Sequence, residues 1–333
     1  MKAYIKYLEY YLPEKVLTNE VINELFPDWS IEKISSKTGI YKRHISNDDE
    51  FVSDMAVTVS EQLIAKNNIN RSEIDFILLC TQSPDYLLPT TACIIQDRLG
   101  ISKSAGALDF NLGCSGYVYG LALAKGLIAA GIAKNILFIT SETYSKYINE
   151  KDKSNRTIFG DASSASLIST SGICEIGDFD LGTDGSGSKN LIVKEGGAKH
   201  PAKNYSQSED SFGNISDSSS LYMNGPEIFA FTSSAVPELI SNTLLKNCIQ
   251  LEDVDLHIFH QANSFMLKHL MKKIKIEESK FYIFLEGCGN TVSSSIPIAL
   301  YNAIQQDLIK KENKVLIAGF GVGYSWGGTI LRF

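Results

Sequence analysis

Two stretches of this chain repeat the same order of strand-like and helix-like segments, and no other feature of the sequence restricts the fold as much. The apolar run Ile74-Asp75-Phe76-Ile77-Leu78-Leu79-Cys80 has the length of a buried strand, and Val254–His260 matches it 180 residues later. Ala107–Asn111 has its counterpart in Phe281–Leu285, and the turn at Gly113-Cys114 has one in Gly287-Cys288-Gly289-Asn290. A helical stretch from about Ser115 to Ala130, stopped by Gly131, recurs at Ser294–Leu308, and the strand Asn135–Thr140 recurs at Lys314–Gly319. Within the first copy, Thr91–Leu99 reads as a helix and Ala165–Ser169 as a further strand. Five elements in one order, at offsets of 174 to 180 residues, describe a duplicated α/β unit. The halves are expected at residues 1–172 and 173–333.

In such a protein the ends of corresponding strands meet across a pseudo-twofold axis, where α/β sheets hold their ligands. Cys114, His260 and Asn290 all fall at strand ends. Cys114 lies on the turn Asn111-Leu112-Gly113-Cys114-Ser115-Gly116 and opens a helix, whose N–H groups and dipole favour a thiolate. The commoner fate of a lone cysteine is a small buried apolar group; position on the turn favours a nucleophile. His260 ends its strand just before Gln261-Ala262-Asn263, which opens another helix, and a neutral imidazole there can donate to a carbonyl or move a proton. His257 lies deeper in the same strand and reads as a core histidine, while His44, His200 and His269 sit on polar segments. The Asn290 amide can donate to an oxygen that develops negative charge, although a Gly-Asn-Thr segment also suits an ordinary turn. Gly319-Phe320-Gly321-Val322-Gly323 follows the last buried strand and can supply an N–H to an oxyanion. It leads into another strand, Thr329–Phe333, and not into a helix, which disfavours a dinucleotide site.

Bulk properties exclude several classes. A chain of 333 residues that is 44% hydrophobic can build a large core of two domains. A net charge of -7 with no long basic run argues against a nucleic-acid partner. No apolar run approaches the roughly 18–20 residues that span a bilayer, and Met1-Lys2-Ala3-Tyr4-Ile5 begins on a strand-like pattern, so neither membrane insertion nor a signal peptide is expected. Six cysteines without a CxxC pair argue against zinc or a disulfide framework. A cytoplasmic, thiol-reduced enzyme is expected. Lys203–Ser220, rich in Ser, Asp and Asn, reads as a solvated loop.

Further motifs make the chain similar to ketoacyl-acyl-carrier-protein synthase III, within the thiolase superfamily. They are Tyr11-Leu12-Pro13, Lys37-Thr38-Gly39-Ile40, Leu88-Pro89-Thr90-Thr91-Ala92-Cys93 and Cys114-Ser115-Gly116, followed by Phe159-Gly160-Asp161-Ala162, Leu181–Gly187 and Met223-Asn224-Gly225. His260-Gln261-Ala262-Asn263, Gly289-Asn290-Thr291 and Gly319-Phe320-Gly321 complete the series, so the resemblance runs nearly end to end. It implies a thiolase-like five-layered αβαβα fold, a homodimer and a two-step reaction. Cys114 takes an acyl group from acyl-CoA, and a malonyl-acyl carrier protein then loses carbon dioxide and attacks the acyl-cysteine. By the same resemblance His260 and Asn290 hold the enolate-like oxygen, and the backbone N–H groups of Cys114 and Val322 hold the oxyanion of the first step. Neither a metal nor a redox cofactor is implied, because decarboxylation generates the carbanion; the CoA thioester is a substrate.

The resemblance also places Leu88 in a neighbouring subunit's acyl pocket and lines the pantetheine channel with Asn263, Gly225 and Phe229. Lys37 stands where relatives have Arg, and Lys33 where many have a Trp that stacks on adenine. Phe265 and Ala230 replace common basic residues, while Lys268, Lys272 and Lys273, at helical spacing, can form a patch for an acidic carrier or simply a solvated face. Two rival readings remain: an acyltransferase on the same scaffold that passes acyl from Cys114 to an amine or alcohol, and a non-catalytic partner subunit. The presence of all three of Cys114, His260 and Asn290 argues against the second.

Overall fold

A computed structural model describes residues 2–201, 207–209 and 215–333. Ten strands form one hydrogen-bonded sheet. The first copy supplies β1 (Tyr4–Tyr11), β2 (Phe76–Cys80), β3 (Gly106–Phe110), β4 (Asn135–Glu142) and β5 (Ala162–Ser169). The second supplies β6 (Cys174–Ile176), β7 (Asp180–Thr183), β8 (Leu256–Phe259), β9 (Lys314–Gly321) and β10 (Ser325–Arg332). The order is β8-β9-β10-β6-β1-β5-β4-β2-β3, with β7 also paired to β10.

Read outward from the β1–β6 junction, each half has the same plan. β2 is parallel to β3 and β4, while β4–β5 and β5–β1 are antiparallel. In the second half β8–β9 is parallel, while β9–β10 and β10–β6 are antiparallel. The duplication seen in the sequence is therefore present in the topology.

The helices complete five layers. α2 (Val52–Asn67) and α3 (Thr91–Arg98) cover the outer face of the first half-sheet, and α5 (Gly225–Lys246) and α6 (Ser264–Ile274) lie outside the second, with α1 (Ile31–Thr38) against α6. Between the half-sheets lie α4 (Gly116–Ala129), which touches β2, β4 and β5 and also β9 and β10, and α7 (Ser295–Gln305), which touches β1, β8 and β9. A helix with sheet on both sides must be apolar nearly all round, as Gly-Tyr-Val-Tyr-Gly-Leu-Ala-Leu-Ala in α4 is. Gly120 is needed there for close approach: a Cβ at that position would lie 2.0 Å from the Phe138 ring, which stacks on Tyr117 at 5.3 Å. Burying a ring of that size removes roughly 150–250 Å² of apolar surface from water.

Three expectations change. Phe281–Leu285 does not form a strand; only Phe281 bridges to His257, because the Gln261 side chain takes the Phe284 N–H at 2.7 Å and ends the ladder. β10 begins at Ser325, four residues before the expected Thr329, since glycines 327 and 328 leave space against Leu239 and Val118 instead of breaking the strand. Within Lys203–Ser220, Gln207–Glu209 pairs antiparallel with Ile215–Asp217, so the segment is not a plain loop; residues 203–206 and 210–214 lie outside the described residues.

Candidate active site

The turn after β3 carries Cys114 into α4 with the Gly116 N–H bonded to the Gly113 carbonyl at 2.8 Å. Gly113 and Gly116 are required by their surroundings: a Cβ at 113 would meet Gln82 Oε1 at 2.5 Å, and one at 116 would meet Cys80 Sγ at 2.3 Å. The end of β9 closes over the same turn, and a Cβ at Gly321 would lie 2.8 Å from Cys114 Sγ. Ser115 Oγ and Ser325 Oγ, 2.6 Å apart, tie the turn of the first half to that of the second, and Ser325 Oγ donates to the Val322 carbonyl at 2.9 Å.

Cys114 is only 7% exposed. Burial, reinforced by the Glu142 carboxylate, pushes its thiol up to about 12, while backbone N–H groups of Val322 and of Cys114 itself pull the other way. The thiolate expected from the helix N-terminus is therefore not the resting state, because desolvation outweighs the N–H groups. Those same N–H groups are the feature an oxyanion next to the sulfur needs.

His260 follows β8, its N–H bonded to the Ala318 carbonyl at 2.8 Å, and its ring is edge-on to Phe320 at 5.9 Å. Its Nδ1 is 2.7 Å from Ser295 Oγ, the hydroxyl at the start of α7. Ser295 Oγ also accepts from the Gln261 N–H at 3.3 Å. Burial lowers the imidazole to about 3, against an opposing backbone hydrogen bond to Val292, so the ring is neutral at physiological pH.

Asn290 is held by the other half of the molecule. Its N–H donates to the Ile158 carbonyl at 2.9 Å, and its carbonyl accepts from the Gly160 N–H at 3.0 Å. Asn290 Oδ1 accepts from the Val292 N–H at 2.9 Å, which orients the amide so that its NH2 is left to donate. Val292 is thus the meeting point: its N–H binds Asn290, its backbone hydrogen-bonds the His260 ring, and its side chain packs in one buried cluster with Cys114, Tyr144, Phe159, Leu191 and Leu221. The three residues singled out at strand ends converge on it.

Glu142, at the end of β4, was not evident from the sequence. It is fully buried and accepts from the Gln82 N–H (3.0 Å), Ser83 Oγ (3.1 Å) and Ser293 Oγ (2.8 Å), joining the floor of the Cys114 site to the segment after Asn290. Desolvation raises its carboxyl to about 8 despite these donors. The repeat held a signal for it: Asn135 corresponds to Lys314, so Glu142 corresponds to Gly321, the residue that abuts Cys114.

The remaining candidates divide into groups. Asn263 caps α6, its Oδ1 accepting from the Met266 N–H at 2.8 Å; Phe229 lies 5.6 Å from Phe265 and 4.8 Å from His269; Gly225 begins α5; and Lys37 is exposed in the last turn of α1. Lys268, Lys272 and Lys273 are exposed on α6. Leu88 is 82% exposed beside Leu87 and is not among the residues packed around Cys114. His257 is buried with Nδ1 at 3.0 Å from the Lys280 carbonyl. Among the described residues no group of three or more His, Cys, Asp or Glu could hold a metal, and no helix is long and apolar enough to cross a membrane.

Comparison with known proteins identifies the family. Residues 108–185 match the sequence model of 3-oxoacyl-[acyl-carrier-protein (ACP)] synthase III, and residues 244–333 match that of its C-terminal part. The chain is 37% identical over 323 residues, 97% of its length and 96% of the relative's, to the beta-ketoacyl-[acyl-carrier-protein] synthase III of Clostridium perfringens. Its fold superposes on a crystal structure of a 3-oxoacyl-(acyl-carrier-protein) synthase III with a TM-score of 0.97 and 47% identity, covering all of both chains. A 3-oxoacyl-(acyl-carrier protein) synthase from Burkholderia xenovorans gives a TM-score of 0.90 at 33% identity, with 100% of this chain and 94% of that one covered.

Proposed function

Because the chain belongs to the 3-oxoacyl-[acyl-carrier-protein] synthase III family, we propose that it performs a decarboxylative condensation in which the first half carries the acyl group and the second activates the extender. Cys114 attacks the carbonyl of an acyl-CoA; the tetrahedral oxyanion is held by the N–H groups of Cys114 and Val322, and CoA leaves as its thiol with the cysteine proton. A malonyl thioester on acyl carrier protein then occupies the second position. As it loses carbon dioxide, the electron pair passes to its α-carbon, and negative charge develops on the thioester oxygen. Neutral His260 and the Asn290 NH2 donate hydrogen bonds to that oxygen. The carbanion attacks the acyl-cysteine, and Cys114 departs as thiolate and is reprotonated. The carbanion arises by decarboxylation, so no metal or redox cofactor is called for.

The observation that carries this reading is the convergence on Val292, where a nucleophile from one half meets two neutral donors from the other. A homodimer fits the edge of the sheet, where β3 ends the strand order and Leu87 and Leu88 are 87% and 82% exposed. Through that edge Leu88 reaches a partner subunit's acyl site. The lysines of α6, next to Phe265 and Asn263, offer an acidic carrier protein a docking face, while Lys37, Gly225 and Phe229 flank the pantetheine path. Six unpaired cysteines suit a reducing, cytoplasmic setting.

Incubation with acetyl-CoA and malonyl-acyl carrier protein, read by mass spectrometry, should yield 3-oxobutyryl-carrier and free CoA. Acyl transfer to an amine or alcohol with malonyl-carrier left intact would replace this reading with the acyltransferase.

A further inference from the structure

The acylation step just proposed depends on the direction of one backbone N–H, that of Val322, and little within its own loop fixes that direction. β9 ends at Gly321, which pairs with Ser325 at the start of β10, so Val322-Gly323-Tyr324 is a three-residue connection. Its middle residue is glycine at φ +130, a conformation that residues with a side chain rarely adopt. That glycine brings no side chain to pack, and Val322 is only partly buried. Ser325 Oγ secures the Val322 carbonyl at 2.9 Å. The rest of the hold on the loop comes from Tyr324.

Tyr324 is 6% exposed and is anchored by its backbone, its ring and its hydroxyl. Its N–H donates to the Asp184 carbonyl at 2.8 Å, and its carbonyl accepts from the Asp184 N–H at 3.0 Å. This exchange carries the β7–β10 ladder one pair beyond Thr183 and Ser325. The ring stacks on Phe231 of α5, with centroids 4.0 Å apart and planes 9° from parallel. Gly187 borders the same ring so closely that a Cβ there has no room. The hydroxyl accepts from Asn190 Nδ2 at 2.6 Å. Asn190 is itself fixed, because its carbonyl accepts at 2.8 Å from the N–H of Asn224, the residue that caps α5. None of these partners is among those named above as holding His260 or Asn290.

We propose that Tyr324 is the positioning residue of the oxyanion site, its ring and its bond to Asn190 holding the Val322 N–H toward the carbonyl that Cys114 attacks. The inference rests on the reading of Val322 as an oxyanion donor in acylation of Cys114. Charge in the decarboxylation falls instead on the oxygen that His260 and Asn290 hold, so Tyr324 serves the first step and not the second.

The test follows the two steps separately in the full-length protein. Acylation is read by intact mass after rapid mixing with acetyl-CoA. Decarboxylation is read as carbon dioxide released from malonyl-acyl carrier protein, in a single turnover by protein already acetylated to completion. Tyr324→Leu removes ring and hydroxyl together and should lower the limiting rate of acylation by about a hundredfold, the cost of losing or misplacing one oxyanion donor. The half-saturating acetyl-CoA concentration should stay as it is, since the lost interaction belongs to the transition state alone. Carbon dioxide release should stay close to that of the unmodified protein. Tyr324→Phe keeps the stack; it and Asn190→Ala should each slow acylation by about two- to tenfold, the weight of one hydrogen bond. The double variant should lose no more than either single one, because both remove the same bond. Acylation at the unmodified rate in Tyr324→Leu protein would overturn the proposal, and so would equal losses in the two steps, the mark of a merely structural role. If Tyr324→Leu protein does not fold, the milder pair decides: no loss in Tyr324→Phe, or losses that add in the double variant, would overturn it. These outcomes leave Cys114 as the acyl carrier, whereas the lack of any adduct on the unmodified protein would overturn that reading together with the proposal.

Discussion

Cys114 and Cys288 occupy corresponding points of the repeated unit, 174 residues apart, each on the turn that enters a central helix. Both are buried, and burial pushes both thiols up to about 12. Resting acidity therefore does not distinguish them. Their surroundings do. The Cys114 sulfur receives N–H groups from Val322 and from its own backbone, and β9 passes against it with glycine. Cys288 Sγ faces carbonyl oxygens, 3.9 Å from that of Phe284 and 3.7 Å from that of Gly289. An oxyanion is welcome beside the first sulfur and repelled beside the second. The two backbones diverge in the same way. In the first copy a regular ladder between β2 and β3 leads straight into the turn and α4. In the second the ladder shrinks to one bridge, and the segment around Asn290 pairs instead with residues 158–160 of the other half. One copy presents a cysteine on the turn into its helix, and the other carries an amide across to the opposite half.

The largest effect should come from exchanging the two cysteines' fates. Cys114→Ala should abolish the acyl adduct, a loss of at least about a thousandfold in condensation rate, while Cys288→Ala should load acetyl groups at close to the normal rate. Equal losses in the two variants, measured by intact mass, would break the comparison. Next in size is Gly321→Ala. A methyl group 2.8 Å from Sγ displaces the nucleophile, and misplacement on the ångström scale costs about a hundredfold in rate; single-turnover acylation reads it directly. Gly289→Ala tests the second copy's turn: at φ +71, with the Ile158 carbonyl 2.7 Å from the new Cβ, it should cost about 1–3 kcal/mol of stability, seen in urea unfolding.

The smallest effect concerns Glu142 and the pH dependence of stability. The unfolded chain releases this proton near 4.5, whereas the folded protein holds it up to about 8. Folding therefore binds a proton within that window, and this residue's contribution to stability declines as pH rises through it. His260 acts with the opposite sign, its depressed value costing stability as pH falls from 6.5 toward about 3. Glu142→Gln leaves His260 in place, so it should flatten the decline in melting temperature between the acid and alkaline ends of the Glu142 window. An identical pH profile in the variant would remove Glu142 from the account.

The repeated succession of strands and the turn that carries Cys114 were legible in the sequence because both rest on local pattern: apolar runs, glycine stops and a cysteine at a strand-to-helix turn. The elements that escaped are those whose stability comes from elsewhere. Ala162–Ser164 belongs to β5 although its serines read as polar, because Ser163 Oγ bonds to the Thr140 carbonyl and Ser164 Oγ to Thr140 Oγ1. Phe281–Leu285 looked like a strand and is not one, because a single glutamine side chain from another segment takes its N–H. The site shows the same division. Cys114 and His260 follow strand ends and Asn290 lies after a turn, but nothing local marks Ser295 as the partner of a histidine, or Glu142 as the buried acid beside the cysteine. Those roles appear only when the chain is folded and the partners, some of them tens of residues distant, are in contact.

The division of labour between the halves is tested most directly by measuring acylation and carbon dioxide release separately in His260→Ala and Asn290→Ala proteins. Both should take an acetyl group on Cys114 to full stoichiometry from acetyl-CoA. Carbon dioxide release from malonyl-acyl carrier protein should nevertheless fall by about a hundredfold or more. Loss of acylation together with decarboxylation, or release of carbon dioxide at the unmodified rate, would contradict the account.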